Sequence, residues 1–299
     1  MSAFKCENIT SGIIPEKKRV LVIGDLHADF KKTKEIFIKL KLIDRYENWS
    51  ATPKDTVVVQ LGDQLDGGGR GGGEGYGEIE LIEFMDRIHS KAKEFDGGVY
   101  SLIGNHEIMN LIGNFTYSSK KDIELQGGIA LREKLFSPGG DIFNRMSCTR
   151  NVILKVGGFV FAHAGILPEH IDMKNRNKFI KKVNTLMRLF LQGRKTYEDH
   201  EIQKYFLDKR GIIWNREYGK EKQTCENIDK ITRMLNVGHM IVGHTVQDTI
   251  NSRCDNKLWR VDVGISEAFN TKKMEILEIL DNGEPTVYNK FKPFRVLKL

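Results

Sequence analysis

With 299 residues, 40% hydrophobic and 29% charged, the chain has room for one large or two ordinary domains around a sizeable core and is too apolar to be disordered. Its longest apolar runs, VLVI at 20–23 and VVV at 57–59, fall far short of the roughly 20 residues of a membrane span, and the first 20 residues hold no signal-peptide apolar stretch, so the expectation is a cytoplasmic protein without a membrane partner. The net charge of +7 would suit polyanions, but lysines such as those in KKTKEIFIKLK mark the wet face of an amphipathic helix and weigh against nucleic acid as the main partner.

Taken in chain order, residues 1–18 read as an N-terminal extension and 19–299 as one catalytic domain. Short runs rich in Val, Ile and Phe at 19–23, 56–61, 99–103, 159–162 and 240–242, each bounded by glycine, predict buried strands. Segments 29–42 and 78–95 carry apolar residues every three or four positions and predict helices. This alternation indicates an α/β core. The only low-complexity stretch is GGGRGGGEGYG at 67–77. From about 168 to 236 the pattern turns helical, an insertion that includes the basic amphipathic stretch 178–193, whose Phe179, Val183, Leu186 and Phe190 are expected to pack on the domain rather than on a membrane. Runs at 257–263, 273–280 and 294–299 predict strands that finish a second sheet. Cys6, Cys148, Cys225 and Cys254 lack CxxC spacing, which argues against a zinc knuckle or redox pair and reads as free thiols.

The chemistry follows the strands. The first ends in Gly24-Asp25-Leu26-His27, the second in Gly62-Asp63-Gln64-Leu65-Asp66, the third in Gly104-Asn105-His106-Glu107, the fourth in His163-Ala164-Gly165 and the fifth in Gly243-His244-Thr245. Any one of these alone reads as a turn or a hydrogen-bonded histidine. Together they can converge, because the carboxyl ends of strands in an α/β sheet gather where active sites form. Asp, His and Asn donors without cysteine suit Mn, Fe or Zn, and there are too many for one ion. Asp25 and His27 reach the same ion only if the chain turns there, which Gly24 would permit. Asp63 has two oxygens with which to bridge two ions, and Asn105, His163 and His244 would complete the second.

GDLH, GDQLD, GNHE, HAG and GHT, in this order over about residues 19–264, resemble the signature of calcineurin-like metallophosphoesterases of the phosphoprotein phosphatase type. GDQLD, HAG in place of HGG, and VGHTVQDTINSRCDNKLWRVDVGIS are most similar to the Shewanella-like phosphatase branch. The resemblance implies a four-layer fold, two mixed sheets flanked by helices, with two divalent ions per chain. It implies Asp25, His27 and Asp63 on the first ion, and Asp63, Asn105, His163 and His244 on the second. It also implies His106 as leaving-group acid partnered by Asp66, an arrangement in which the carboxylate would hold the imidazole and favour its charged form. The implied reaction is hydrolysis of phosphomonoesters on phosphorylated Ser or Thr, with Tyr open, by direct attack of a metal-bridging water. The family's GDxVDRG arginine is absent, since Gly67 follows Asp66, and Ala28 replaces a frequent glycine. GIIWNREY at 211–218 resembles the segment that supplies another phosphate-binding arginine, here Arg216. The glycine loop offers Arg70 as a stand-in for the missing clamp, the alternative being a flexible rim with Arg70 in solvent. Glu107, Asp262 and Arg260 read as supports of the site, and His89, His170, His200 and His239 as structural or exposed. Three other readings stay open: a dinucleoside polyphosphate or other small phosphoester hydrolase, a non-catalytic phosphate-binding scaffold, and a nucleic-acid binder. Substrate and oligomeric state are left open.

Overall fold

The apolar runs form two sheets. In the computed structural model, which describes residues 11–69, 75–220, 225–271, 273–281 and 283–289, β2 (Arg19–Ile23), β3 (Val57–Gln60) and β4 (Gly98–Ser101) pair in parallel, while β10 (Ile276–Leu280) runs antiparallel to β2 and β11 (Thr286–Tyr288) to β10. This sheet has the order β11-β10-β2-β3-β4. A second sheet is built from β1 (Ile13–Ile14), β5 (Ile153–Val156), β6 (Phe159–Ala162), β7 (His239–Val242), β8 (Asn251–Arg253) and β9 (Leu258–Arg260), in the order β1-β5-β6-β7-β9-β8.

Side-chain alternation explains the layering. Leu154, Val156, Phe159, Phe161, Ile241 and Trp259 face the first sheet and share its core, whereas their neighbours Ile153, Val160, Ala162, Met240, Val242 and Leu258 point the other way, into a core lined by helices. The first sheet's outer face is covered by α1 (Phe30–Lys39) and α2 (Glu78–Lys93). Helices α3 (Asn105–Leu111), α4 (Lys120–Leu125), α5 (Ile129–Phe136) and α6 (Asp141–Thr149) follow β4, and α3, α6, α7 (Phe179–Leu191) and α9 (Cys225–Leu235) pack on the second sheet. The fold is thus two mixed sheets flanked by helices. Between α7 and α9 lies α8 (His200–Ile202), continued by a π turn at Gln203–Leu207. The face of α7 expected to pack inward does so, with Phe179, Val183, Leu186 and Phe190 buried. No helix among the described residues is long and apolar enough to cross a membrane.

Three expectations need revision. The tail does not finish one sheet: β9 joins the second sheet beside β7, while β10 and β11 extend the first beside β2, and 294–299 lie outside the described residues. Residues 13 and 14, read as extension, form β1 and pair with β5. The described cysteines, Cys148, Cys225 and Cys254, are not free thiols. Cys225 at the start of α9 and Cys254 in the β8–β9 turn have Cα atoms 5.2 Å apart and form a disulfide, and Cys148 is also disulfide-bonded. A separation of 29 residues leaves no local spacing signal, because the fold alone brings the pair together. Disulfides persist in oxidising surroundings, so the cysteines do not argue for a cytoplasmic setting.

Candidate metal centre and active site

The loops after β2 and β3 are zipped together. Leu26 and His27 donate their N–H groups to Asp63 O at 3.0 and 2.9 Å, and Ala28 donates to Gln64 O at 2.8 Å. The turn after β2 falls at His27 and Ala28, with φ of 38° and 60°, and not at Gly24. Gly24 serves a different need: a Cβ there would stand 2.9 Å from Asp262 Cα, so glycine lets the loop carrying Asp262 pass. Asp63, Asp66 and His244 also have positive φ, at 52°, 67° and 67°. Such backbone costs roughly 1–2 kcal/mol per non-glycine residue and persists where surrounding contacts over-determine it, commonly at functional sites.

Around Asp63 those contacts come from Glu107. Its carboxylate accepts the N–H groups of Asp63 (2.8 Å), Gln64 (2.7 Å), Leu65 (3.2 Å) and Gly104 (2.7 Å). Glu107 thus supports the site by shaping the GDQLD loop through backbone amides, not by holding a histidine.

Backbone carbonyls aim the histidines instead. His27 Nδ1 lies 3.1 Å from Leu65 O, His163 Nδ1 2.9 Å from Leu61 O, and His244 Nε2 3.1 Å from Trp214 O. Each carbonyl can accept that ring's N–H and so turn the other nitrogen inward, the usual way of fixing a ligand imidazole. The inward atoms meet. His163 Nε2 is 3.0 Å from Asn105 Oδ1, 3.1 Å from His244 Nδ1 and 3.3 Å from Asp63 Oδ2. Asp63 belongs to two buried donor groups whose atoms lie within 4.8 Å of one another, one with His27 and His106 and one with His163 and His244. Asp25 is outside both. Its carboxylate accepts the His244 N–H at 3.0 Å and lies 3.9 Å from His163 Nδ1.

The electrostatics are those of a cation site. Burial and the neighbouring Asp262 and Asp63 push Asp25 well above the ordinary carboxylate range, and burial raises Asp262 and Glu107 to about 6. Burial also works against the charge on Asp63, yet the histidines around it, His163 foremost, hold its carboxyl well below that range. Burial and His163 push His244 down to about 3, which keeps the ring neutral and able to donate a lone pair. Buried carboxylates, inward imidazole nitrogens and an amide oxygen fit hard or borderline divalent cations.

His106 and Asp66 meet as expected. Nδ1 is 2.7 Å from Asp66 Oδ2, and Nε2 points into the site, 3.9 Å from Asp63 Oδ2. Tyr117 stands edge-on to the His106 ring with centroids 5.2 Å apart. Arg216 is exposed at the rim, its Nη1 3.2 Å from Thr245 Oγ1 and 3.4 Å from His244 O. Its loop is pinned by Arg260, which donates to Gly219 O and Lys220 O at 3.3 and 3.1 Å. Arg70 lies outside the described residues. Sequence reasoning missed the shell behind Asp66, namely Asn110, Ser118, Glu78 and Arg132. Asn110, one helical turn after His106, was the one signal present.

Two helix-flanked sheets that gather carboxylate, imidazole and amide donors at their strand ends define a metallophosphoesterase. The chain belongs to the calcineurin-like phosphoesterases, whose family model matches residues 18–248, and it is accordingly a metal-dependent hydrolase. It is 29% identical to Shewanella-like protein phosphatase 2 of Arabidopsis thaliana over 88% of this chain and 75% of that protein. An uncharacterized protein of Acanthamoeba polyphaga mimivirus is 34% identical over 67% of this chain and 95% of its own length. Among solved structures, the cold-active protein-tyrosine phosphatase of a psychrophilic Shewanella superposes with a TM-score of 0.78 at 26% identity, covering 92% of this chain and 78% of that one. These similarities support the Shewanella-like branch.

Proposed function

We propose that the chain hydrolyses phosphomonoesters on phosphorylated protein side chains. One observation carries this reading: a histidine held by a buried carboxylate, His106 on Asp66 at 2.7 Å, turns its other nitrogen toward the donors around Asp63. In the proposed assignment Asp25, His27 and Asp63 hold one divalent ion, and Asp63, Asn105, His163 and His244 hold a second. Bound there, such ions supply an activated water and positive charge for phosphate oxygens. The protein's own residues do the rest. Asp66 fixes the tautomer and direction of His106, so that Nε2 delivers a proton to the departing side-chain oxygen. Arg216, at the rim beside His244, has the fork geometry to pair with non-bridging phosphate oxygens. Tyr117 beside His106 provides an aromatic wall where a leaving group would sit, and relatives named protein phosphatase and protein-tyrosine phosphatase agree with a protein substrate.

The test separates proton delivery from metal retention. His106→Asn should lower kcat on a phosphoserine peptide by roughly 10²- to 10⁴-fold, with a much smaller loss on p-nitrophenyl phosphate and unchanged metal content by elemental analysis. Asp63→Asn should lose metal and both activities. Equal loss on the two substrates for His106→Asn removes it from the acid role, and full activity in metal-free protein overturns the reading.

A further inference from the structure

We infer that Arg132, wholly buried behind Asp66, is a positioning residue for His106. The inference rests on the reading of His106 as leaving-group acid. It starts from an inversion on α5: Arg132 is 0% exposed, while Ile129 and Leu131 on the same helix are 48% and 49% exposed. Placing a guanidinium inside and aliphatic chains outside reverses what burial favours, so the reason must be what the guanidinium reaches. Nη1 donates to Glu78 Oε1 and, at 2.9 Å, to Gln126 Oε1. Nη2 donates to Asn110 Oδ1 at 2.5 Å and lies 3.8 Å from Asp66 Oδ1. The Phe115 and Phe136 rings hold the plane of the group, with centroids 5.0 and 4.6 Å from Cζ.

Two consequences bear on the acid. With Asn110 Oδ1 occupied by a donor, its Nδ2 must face the other way, where it donates to Asp66 Oδ2 at 2.9 Å and to His106 O at 2.9 Å. Arg132 thus sets the amide orientation that braces both members of the pair. Its charge also lies between two fully buried carboxylates, Asp66 and Glu78, and without it both would stand in a dry site lacking that cation. Asp66 then accepts from Asn110 and His106 at Oδ2 and from Ser118 Oγ, at 2.9 Å, at Oδ1. Arg132 is no substitute for the arginine missing after Asp66, because a fully buried guanidinium cannot touch a phosphate.

The experiment measures Arg132→Met, Arg132→Lys, His106→Asn and the double variant Arg132→Met/His106→Asn on a phosphoserine peptide and on p-nitrophenyl phosphate, with metal content in each preparation. Arg132→Met should lower kcat on the peptide by roughly 10- to 100-fold, as loss of an orienting partner does, with KM and metal unchanged and a loss below about threefold on p-nitrophenyl phosphate, which needs little protonation. In the His106→Asn background the same change should have no further effect on the peptide. Arg132→Lys, which keeps the charge without the fork, should recover part of the loss and replaces Arg132→Met if that variant does not fold. Equal losses on both substrates, or a loss that adds fully to that of His106→Asn, overturns the role of Arg132. If His106→Asn itself fails to discriminate the substrates, the acid reading falls and this inference falls with it.

Discussion

Glu107 shows how one buried side chain can build a site without touching a ligand. Four N–H groups, from Asp63, Gln64, Leu65 and Gly104, converge on its two oxygens. Glutamine offers one carbonyl oxygen and sets an NH₂ against the remaining donors, and each buried donor left unpaired costs about 1–3 kcal/mol. Glu107→Gln should therefore lower both the thermal midpoint and the metal content of purified protein, although Glu107 is not itself proposed as a ligand. Thermal unfolding and elemental analysis on the same sample check this, and wild-type values in both would show that the GDQLD loop holds its shape unaided. At this scale the ligand-type residues were legible, because Asp, His and Asn after glycine at a strand end are a compact local pattern. The work of Glu107 was not, since hydrogen bonds to backbone amides across more than 40 residues leave no mark in sequence spacing.

Among the elements, the short helical segments after β6 are joined by His170. It ends the 3₁₀ turn at Pro168–His170, accepts the Leu167 N–H on Nδ1 at 3.0 Å and faces Arg210 O with Nε2 at 2.9 Å. Both contacts are satisfied by the neutral ring, and burial pushes its pKa down from 6.5 to about 4. Above the unfolded value the ring is neutral in both states. As pH falls below it, the unfolded chain takes up a proton that the folded one refuses until its own lower value, so stability is lost through that window. Between about pH 7.5 and pH 5 the loss should be on the order of 2 kcal/mol, read from urea midpoints, and His170→Gln should flatten that part of the profile. An unchanged slope in the variant would assign the pH dependence to other groups. The five strands that lead into the motifs were readable to within two residues, because unbroken Val, Ile and Phe runs beside glycine have few other solutions, whereas β5, with Lys155 inside its run, was not. Helix α5 was not, since its buried arginine and exposed leucine scramble the amphipathic signal.

For the whole molecule, the notable charge is internal. Asp25, Asp63, Asp262 and Glu107 are all nearly inaccessible to solvent, and burial works against the charge on each. Divalent ions bound at this junction of the sheets would act as ligands of the folded state, worth about 2.7 kcal/mol at a hundred times the dissociation constant. Chelation should lower the thermal midpoint by several degrees, and Mn²⁺ should restore it. An unchanged midpoint after verified metal removal would show that the fold does not depend on the ions.

The order of motifs, each following a buried strand, was enough by itself to determine the fold class and the candidate ligand set, because strand-end chemistry is local and sheet topology delivers strand ends to one place. Only the tertiary structure decided which side chain braces which: that Glu107 gathers the amides of the GDQLD loop, that Arg132 lies behind Asp66, that Cys225 and Cys254 are joined, and that the tail divides between both sheets. These are contacts between residues far apart in the chain, set by packing of separate elements, and no local pattern of residue types encodes them.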